Sequence, residues 1–371
     1  MDISTLKALT TQVLWAAFIV SALFGVIAQR THFCTMGAIS DIFNMNDWTR
    51  MRQWGMAVGV AMIGFYALAF VGLIDPAKTL YASNRLIWLS ALVGGLLFGF
   101  GMVLASGCGS KTLVRIGGGN LKSLVVFAVM GVAAFATLKG ITAVVRVATV
   151  DRIAIEFTGN AALPNWLGSA MGISPMAAGL IVALILGLAL IVWAMLGQDF
   201  LRLDNLVAGF GLGAVIAAMW WVSGGLGYIA EHPETLQEAF IATNSGRMEA
   251  LSFVSPVAYT QDWLMFFSDK AKVLTIGIVS VFGVVAGSAV YAVATRSFRW
   301  EGFRNTEDTA NHLVGAVMMG IGGVAAMGCT VGQGLSGLST LSATSFVAVA
   351  AILAGAVIAL KYQVWRLEKS V

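Results

Sequence analysis

The chain has 371 residues, of which 58% are hydrophobic and only 11% are charged, and its mean hydropathy is +0.87. A soluble domain needs roughly 25% charged residues to cover its surface, so the composition excludes a soluble protein and indicates one that lies in membrane lipid. In a membrane protein, a net charge of +4 usually reflects Lys and Arg residues in the cytoplasmic loops. No basic run or aromatic motif indicates a nucleic-acid partner.

Nine apolar runs are long enough to cross about 30 Å of hydrocarbon, which predicts an all-α polytopic membrane protein. They cover residues 12–29, 52–74, 86–107, 122–146, 176–196, 204–222, 272–294, 309–328 and 343–362. We therefore divide the chain into two halves joined by a linker that carries the fifth span. The divisions are residues 1–146, the linker 147–203, and residues 204–371 with an external loop over 223–271.

An odd number of spans places the two termini on opposite sides of the membrane. Sorted by loop, thirteen Lys and Arg residues fall on one side and eight on the other. Positive residues accumulate on the cytoplasmic side, so we expect the N-terminus outside and the C-terminus in the cytoplasm.

The three cysteines of the chain, Cys34, Cys108 and Cys329, mark a repeated element. A glycine stands nine residues before each of them, and the three glycines are Gly25, Gly99 and Gly320. A fourth copy begins at Gly211 and places Trp220 in the position of the cysteine. Trp220 is either a residue of the aromatic belt at the membrane surface or, in this position, a gating residue.

The segments that follow Cys108 and Cys329 are too short to cross the membrane. They predict re-entrant half-helices, which are stable only when they are buried in protein or line a cavity. The lone fifth span turns the second half over relative to the first, which predicts two inverted pseudo-repeats of the kind found in transporters. Half-helix N-termini that point inward carry partial positive charge and free amides, and this suits an anion.

A single cysteine in a membrane helix is usually a small apolar residue that fills a gap. Here all three occupy equivalent positions beside glycines, which favours a path lined by polarizable sulfur for a sulfur-bearing anion. Three cysteines without a C-x-x-C pair indicate neither a disulfide framework nor a zinc site. We therefore predict no catalytic residue, no metal and no cofactor.

Several residues near the cysteines have two open interpretations. Arg30, Lys111 and Arg115 either reflect ordinary positive-inside topology or form an exit vestibule that attracts an anion. Thr330 and Gln333 are either polar liners of the path or caps of the half-helix.

Gly107 and Gly328 directly precede two of the cysteines. Glycines in membrane helices generally serve close packing, and we favour that role for these two over contact with the substrate.

The segments 24–41, 94–118 and 315–334 resemble the YeeE/YedE family of bacterial inner-membrane proteins. The resemblance implies an inner-membrane location and thiosulfate uptake by successive contacts with three cysteines. Their order would be Cys329 nearest the outside, Cys108 in the middle and Cys34 nearest the cytoplasm. It also implies a small cytosolic TusA-like sulfur carrier protein as a partner, in addition to membrane lipid.

The chain departs from the Gly-Gly-Cys pattern of this family, because Ser106 and Met327 replace the first glycine of the second and third motifs. We expect these larger residues to narrow the site. Three other functions are compatible with the sequence. They are uptake of another sulfur or selenium species, a membrane thiol enzyme that forms a cysteine persulfide near His32, and a structural or sensor subunit.

Overall fold

The computed structural model describes residues 2–157, 159–198 and 200–370, and this part of the chain is mostly helical. The long helices are α1 Ile3–Arg30, α3 Thr49–Phe70, α4 Trp88–Leu104, α6 Leu121–Lys139, α9 Pro175–Met195, α13 Ile276–Ala294, α14 Thr306–Ala325 and α15 Ala343–Ser370. One further long helix is continuous over Leu203–Leu226. It consists of α10 Leu203–Leu206, a π-helix Val207–Gly211, α11 Leu212–Trp221 and a π-helix Val222–Leu226.

Short elements connect the long helices. The short α-helices are α2 Thr35–Met45, α5 Gly109–Gly117, α7 Ile141–Ala148, α8 Leu163–Met171 and α12 Ser255–Met265. A π-helix spans Gly332–Gly337, and 3-10 turns span Pro76–Lys78 and Val150–Arg152. Two antiparallel pairs of two-residue strands complete the list: β1 Arg85–Leu86 with β2 Ile155–Glu156, and β3 Tyr228–Ile229 with β4 Ala239–Phe240.

Within the described residues, eight helices are long and apolar enough to cross a membrane. The predicted span over 309–328 corresponds to α14, which is not one of these eight. Its first turns carry polar residues, and Asp308 pairs with Lys122 of α6 at 2.9 Å and with His312 at 3.0 Å. The predicted fourth span over 122–146 is too long, because α6 ends at Lys139 and α7 begins after Gly140.

Helix contacts repeat when equivalent elements of the two halves are exchanged. Helix α1 packs on α13 as α11 packs on α3, and α4 packs on α15 as α14 packs on α6. The short helices follow the same rule, since α2 lies against α3 and α15, whereas α12 lies against α13 and α6. Two structurally equivalent halves produce this pattern, as the sequence predicts. Helix α12 is therefore the counterpart of α2.

Four long helices, α3, α4, α6 and α9, lie between α1 and its counterpart over Leu203–Leu226. If each long helix crosses the membrane, these two counterparts run in opposite directions, as inverted repeats require. Helix α9 stands outside both halves and packs on α3 and α8.

The two halves meet where α4 crosses α14, and glycines allow the two backbones to touch. A Cβ atom at Gly322 would lie 2.5 Å from the amide nitrogen of Phe98 and 2.6 Å from the carbonyl oxygen of Gly94. A Cβ atom at Gly315 would lie 2.6 Å from the carbonyl oxygen of Gly101. Such contacts are impossible, so glycine is required at this crossing, in the way that small residues allow close helix packing in membranes.

We predict that Gly322→Ala lowers thermal stability, because the new methyl group meets backbone that cannot rotate away. Overpacking of this kind costs about 1–3 kcal/mol. Thermal unfolding of the detergent-solubilised protein, followed by size exclusion, measures the effect. Gly302→Ala is the control, since a Cβ at that position meets nothing within 4 Å. Equal midpoints for the two variants would contradict the prediction.

Candidate functional site

The three cysteine motifs share one backbone turn, in which a residue other than glycine adopts the left-handed conformation two positions before the cysteine. The amide of the next residue closes this turn in two motifs, from Gly107 to the Met102 carbonyl and from Gly328 to the Gly323 carbonyl, both at 2.8 Å. This is the Schellman ending of a helix. The left-handed residues are His32, Ser106 and Met327, with φ of 52°, 55° and 57°.

The turn explains the Gly-Gly-Cys pattern of the family that the sequence resembles, because glycine adopts positive φ most readily. Ser106 and Met327 hold the same backbone with side chains, which costs about 1–2 kcal/mol each. The carbonyl of Ser106 accepts a hydrogen bond from Arg115 Nη1 at 2.7 Å. The side chain of Met327 lines two cavities on the predicted outer face.

Cys34 and Cys108 are the N-cap residues of α2 and α5, and Cys329 stands three residues before the first residue of the π-helix Gly332–Gly337. In each case the sulfur interacts with the amide three residues further along. Gly37 N donates to Cys34 Sγ and Gly332 N donates to Cys329 Sγ, both at 3.4 Å. The amide of Lys111 interacts with the Cys108 sulfur in the same relative position. Three helix starts, each with partial positive charge and amides not used within the helix, therefore carry the cysteines.

The three thiols form one buried group. Cys34 is 7% exposed, Cys108 and Cys329 are fully buried, and all three are free. The Cys108 thiol interacts with Cys34 and electrostatically with Cys329, and it also lies near the hydroxyls of Ser110, at 3.3 Å, and Thr330. Cys108 is therefore the cysteine that interacts with both of the others.

The prediction that a span ends near Trp220, in the manner of the cysteine motifs, is wrong. The helix continues through Trp220 and ends at Leu226. The counterpart of the Cys34 element is α12, whose N-cap residue is Val254, and the backbone of Phe253 interacts with the Cys329 sulfur. A helix-start signal, Pro256 in the first turn of α12, could have identified this element in the sequence.

Trp220 is fully buried next to the segment that follows the third cysteine. Its indole Nε1 donates to Ser339 Oγ at 3.0 Å. Its ring packs edge-on against Phe65 and Tyr81, with centroids 5.2 Å and 6.1 Å away. Trp220 is therefore a packing residue of the centre of the protein and does not lie in the aromatic belt.

Cations lie beside Cys34 and Cys108. Lys111 interacts electrostatically with both thiols and with the guanidinium groups of Arg50 and Arg115. Arg50 is a residue that the sequence analysis missed, and its Nε pairs with Asp41 Oδ2 at 2.8 Å. No sequence motif distinguishes Arg50 from other loop arginines, because the contact joins two different helices.

Arg30 stands apart from this cluster. Its Nε pairs with Asp204 Oδ1 at 3.0 Å, and the Arg30 side chain is 40% exposed. The ion pair joins the end of α1 to the start of α10. Arg30 is thus placed to hold two helices together at the surface.

Gln333, Gly107 and Gly328 have contacts that define the local backbone. Gln333 Nε2 donates to the Ala326 carbonyl at 2.7 Å, and its Oε1 accepts from Ser345 Oγ at 2.6 Å. Gln333 therefore satisfies the end of α14, the helix that precedes Cys329, which is a different cap from the half-helix cap considered from the sequence. A Cβ at Gly107 or Gly328 would lie 3.3 Å or 3.1 Å from the side chain of Lys111 or Gln333, so both glycines serve packing.

Three cavities of about 240, 220 and 130 Å³ share Tyr81 as a wall. They are lined mainly by the loops predicted to lie outside. Tyr81 Oη donates to the carbonyl of Gly332, the residue whose amide binds the Cys329 sulfur. Tyr81 thus separates the cavities from the third cysteine, and no sequence motif marks this residue.

Glu249 lines the cavity of about 220 Å³ together with Arg146, Asn244, Ser245 and Tyr259. Its Oε1 accepts from the Asn244 amide at 3.2 Å and its Oε2 accepts from Ser245 Oγ at 3.0 Å. Burial raises the pKa of the Glu249 carboxyl to about 7. The charge of this cavity therefore changes near neutral pH.

The described part of the chain holds no cluster of three or more His, Cys, Asp or Glu residues suited to a metal ion.

Comparison with known proteins shows what the chain resembles. A family model described as sulphur transport matches residues 30–358.

Three relatives of known name are similar to the chain. The thiosulfate transporter TsuA of Escherichia coli K12 is 27% identical over 327 residues, which cover 86% of each chain. The thiosulfate transporter TsuA of Spirochaeta thermophila is 26% identical over 347 residues, covering 90% of this chain and 94% of the relative. The probable transporter YedE of Escherichia coli K12 is 29% identical over 110 residues, covering 30% of this chain and 26% of the relative.

We predict that Tyr81→Ala opens a route from the outer cavities to Cys329, because it removes the side chain that separates them. N-ethylmaleimide should alkylate Cys329 several-fold faster in this variant than in the wild type, as measured by mass spectrometry of the folded protein. Tyr259→Ala is the matched control, since Tyr259 lines the same cavity without a hydrogen bond to Gly332. Equal labelling of Cys329 in the two variants would show that Tyr81 is not a barrier.

Proposed function

Because the chain belongs to the sulphur transport family, we propose that this multi-pass membrane transporter, which is not an enzyme, takes up thiosulfate or a closely related sulfur oxyanion across the bacterial inner membrane. The observation that carries the proposal is the group of three free, buried thiols, with Cys108 in contact with Cys34 and electrostatically coupled to Cys329. Two full-length relatives that bear the name thiosulfate transporter support the choice of substrate.

The chemistry of the thiol group suits an anion that ends in sulfur. A thiol is a weak hydrogen-bond donor with a polarizable sulfur, so it contacts such an anion without the deep energy well of a fixed cation. The three helix starts add amides and partial positive charge. Conduction requires sites that bind an ion and also release it, and a chain of such weak sites meets both conditions.

The proposed path begins at the outer cavities, passes Tyr81, and follows Cys329, Cys108 and Cys34 in that order. The contacts of Tyr81 are the evidence for the outer end of the proposed path, because Tyr81 interacts with Cys329 and lines the cavities. The evidence for the inner end is Lys111, whose charge acts on Cys34 and Cys108. The direction assumes an external N-terminus and a cytoplasmic C-terminus, as the distribution of Lys and Arg predicts.

The proposal includes a cytosolic TusA-like sulfur carrier protein that consumes the delivered sulfur. Its support is the resemblance to the YeeE/YedE family together with the predicted cytoplasmic position of Cys34. Faster accumulation of sulfur from labelled thiosulfate on co-expression of such a carrier would support the partnership, and unchanged accumulation would oppose it.

We predict that Cys108→Ala reduces the initial rate of thiosulfate uptake into proteoliposomes at least tenfold, which corresponds to about 1.4 kcal/mol. The middle thiol is lost, and its two neighbours are left without the contact that joins them. Cells that cannot make sulfide from sulfate should then fail to grow on thiosulfate. Ser280→Ala is the control, because Ser280 is a buried residue of α13 outside the three cysteine motifs. Uptake by Cys108→Ala at the rate of this control would refute the cysteine path.

We also predict that uptake at low thiosulfate concentration decreases several-fold between pH 6 and pH 8. Glu249, with a pKa of about 7, is neutral at the lower pH, and at the higher pH its negative charge repels the anion in the entry cavity. Glu249→Gln should flatten the profile by keeping the group neutral throughout.

The control for this profile is Glu238→Gln. Glu238 is exposed, and its hydrogen bond with Lys78 lowers the pKa of its carboxyl below the usual value. Removing this group should leave the decrease between pH 6 and pH 8 in place. A wild-type profile in Glu249→Gln would exclude Glu249 as its cause.

A further inference from the structure

A small cavity lies beside the thiols, between the first and third cysteine motifs. Its volume is about 10 Å³, which is room for one water-sized atom. Thr35 and Thr330, the residues that directly follow Cys34 and Cys329, form one side of it with Trp54 of α3. The remaining wall is Gly334 and the apolar side chains Val349, Ile352 and Leu353 of α15.

Two hydrogen-bonding atoms in this cavity have no hydrogen bond of good geometry within the described part of the chain. They are the indole Nε1 of Trp54 and Oγ1 of Thr330. Both atoms are buried, and Thr330 as a residue is only 2% exposed. Buried polar atoms in folded proteins nearly always have a partner. The Thr330 hydroxyl lies near the Cys108 thiol, whereas the indole N–H of Trp54 lacks a partner among the described residues and therefore indicates a group that binds there.

The absence of a side chain at Gly334 leaves room for the indole of Trp54. A Cβ atom there would lie 2.9 Å from Cζ2 of Trp54 and 3.6 Å from its Nε1. Any larger residue would therefore collide with the edge of the ring that carries the N–H. The backbone of the third motif is shaped to admit this donor.

The chemistry of the walls defines the occupant. An indole N–H only donates, so the bound atom must be an acceptor, and the cavity accommodates only one such atom. Thr330 also lies near the Cys108 thiol. An occupant of the cavity is therefore adjacent to the middle of the proposed sulfur path.

We propose that Trp54 Nε1 and Thr330 Oγ1 donate hydrogen bonds to one sulfonate oxygen of thiosulfate while its terminal sulfur contacts Cys108. This assignment rests on the proposed function and extends it to selectivity. The thiols recognise the sulfur end of the anion, and the two donors recognise an oxygen. The substrate class is thus a sulfur oxyanion that has both a terminal sulfur and an oxygen. Hydrosulfide has no oxygen and therefore cannot bind the two donors.

Trp54→Phe and Thr330→Val test the assignment, because each removes the donor. Thr330→Val keeps the shape of the side chain, whereas Trp54→Phe keeps an aromatic ring of smaller size. Each should raise the KM for thiosulfate uptake into proteoliposomes about tenfold, the equivalent of one hydrogen bond of about 1.4 kcal/mol. The inhibition constant of hydrosulfide for that uptake should be the same as in the wild type. Thermal stability of Thr330→Val should be equal or higher, since a buried polar atom without a hydrogen bond is removed.

Matched controls are Trp193→Phe and Thr260→Val, which change the same residue types away from the cavity. Thr260 is 1% exposed and its hydroxyl donates to the Pro256 carbonyl at 2.7 Å. If the wild type takes up thiosulfate and the two test variants keep its KM, the oxygen site is refuted and the proposed function stands. Lower thermal stability of Thr330→Val with an unchanged KM means that the cavity holds only a water molecule, which also refutes it. If the wild type takes up no thiosulfate, both proposals fail.

Discussion

The structure depends on one constraint, the need to satisfy the backbone where a helix is interrupted inside a membrane protein. Water is absent from the hydrocarbon, so every amide and carbonyl freed by the break must find a partner in the protein. Here the left-handed turn ends the helix before each cysteine. The cysteine sulfur then accepts a hydrogen bond from a backbone amide of the segment that follows, as from Gly37 and Gly332. The thiol that we assign to the path therefore also satisfies a backbone amide. Replacing a cysteine changes both the local cap and the chemistry of the centre.

The broken helices reach each other only because the two halves pack closely. At the crossing of α4 and α14, backbone meets backbone at Gly94, Gly101, Gly315 and Gly322. Both helices lead directly into cysteine motifs, so the distance between them sets how near Cys108 and Cys329 come. Side chains at these glycines would push the helices apart and separate the thiols. Glycine content and cysteine geometry are thus two aspects of one packing requirement.

The two halves are equivalent in packing but unequal in chemistry. Two helices, α2 and α5, begin at a cysteine, the π-helix Gly332–Gly337 follows Cys329 closely, and the fourth, α12, begins at Val254. The segment that leads to α12 carries Glu249 and the backbone of Phe253, which approach the outer cavities and Cys329. The end of the centre that we predict to face outside therefore offers hydroxyls, a titrating carboxyl and an arginine. The end that we predict to face the cytoplasm instead has the cations Lys111, Arg50 and Arg115. This difference gives the proposed path a direction.

The sequence by itself determined most of the long helices, the short segments after Cys108 and Cys329, and the repeat of the three cysteine motifs, because apolar length and glycine spacing are local properties. It also placed Lys111 and Arg115 near the cysteines, since they are on the same short helix as Cys108. Only the tertiary structure decided the roles of Tyr81, Arg50 and Trp54, because their contacts join distant segments without a local pattern. It also moved the fourth helix start from Trp220 to Val254. Additional loop residues precede that helix, so the nine-residue spacing of the cysteine motifs does not locate it. Its packing against α6 and α13 does.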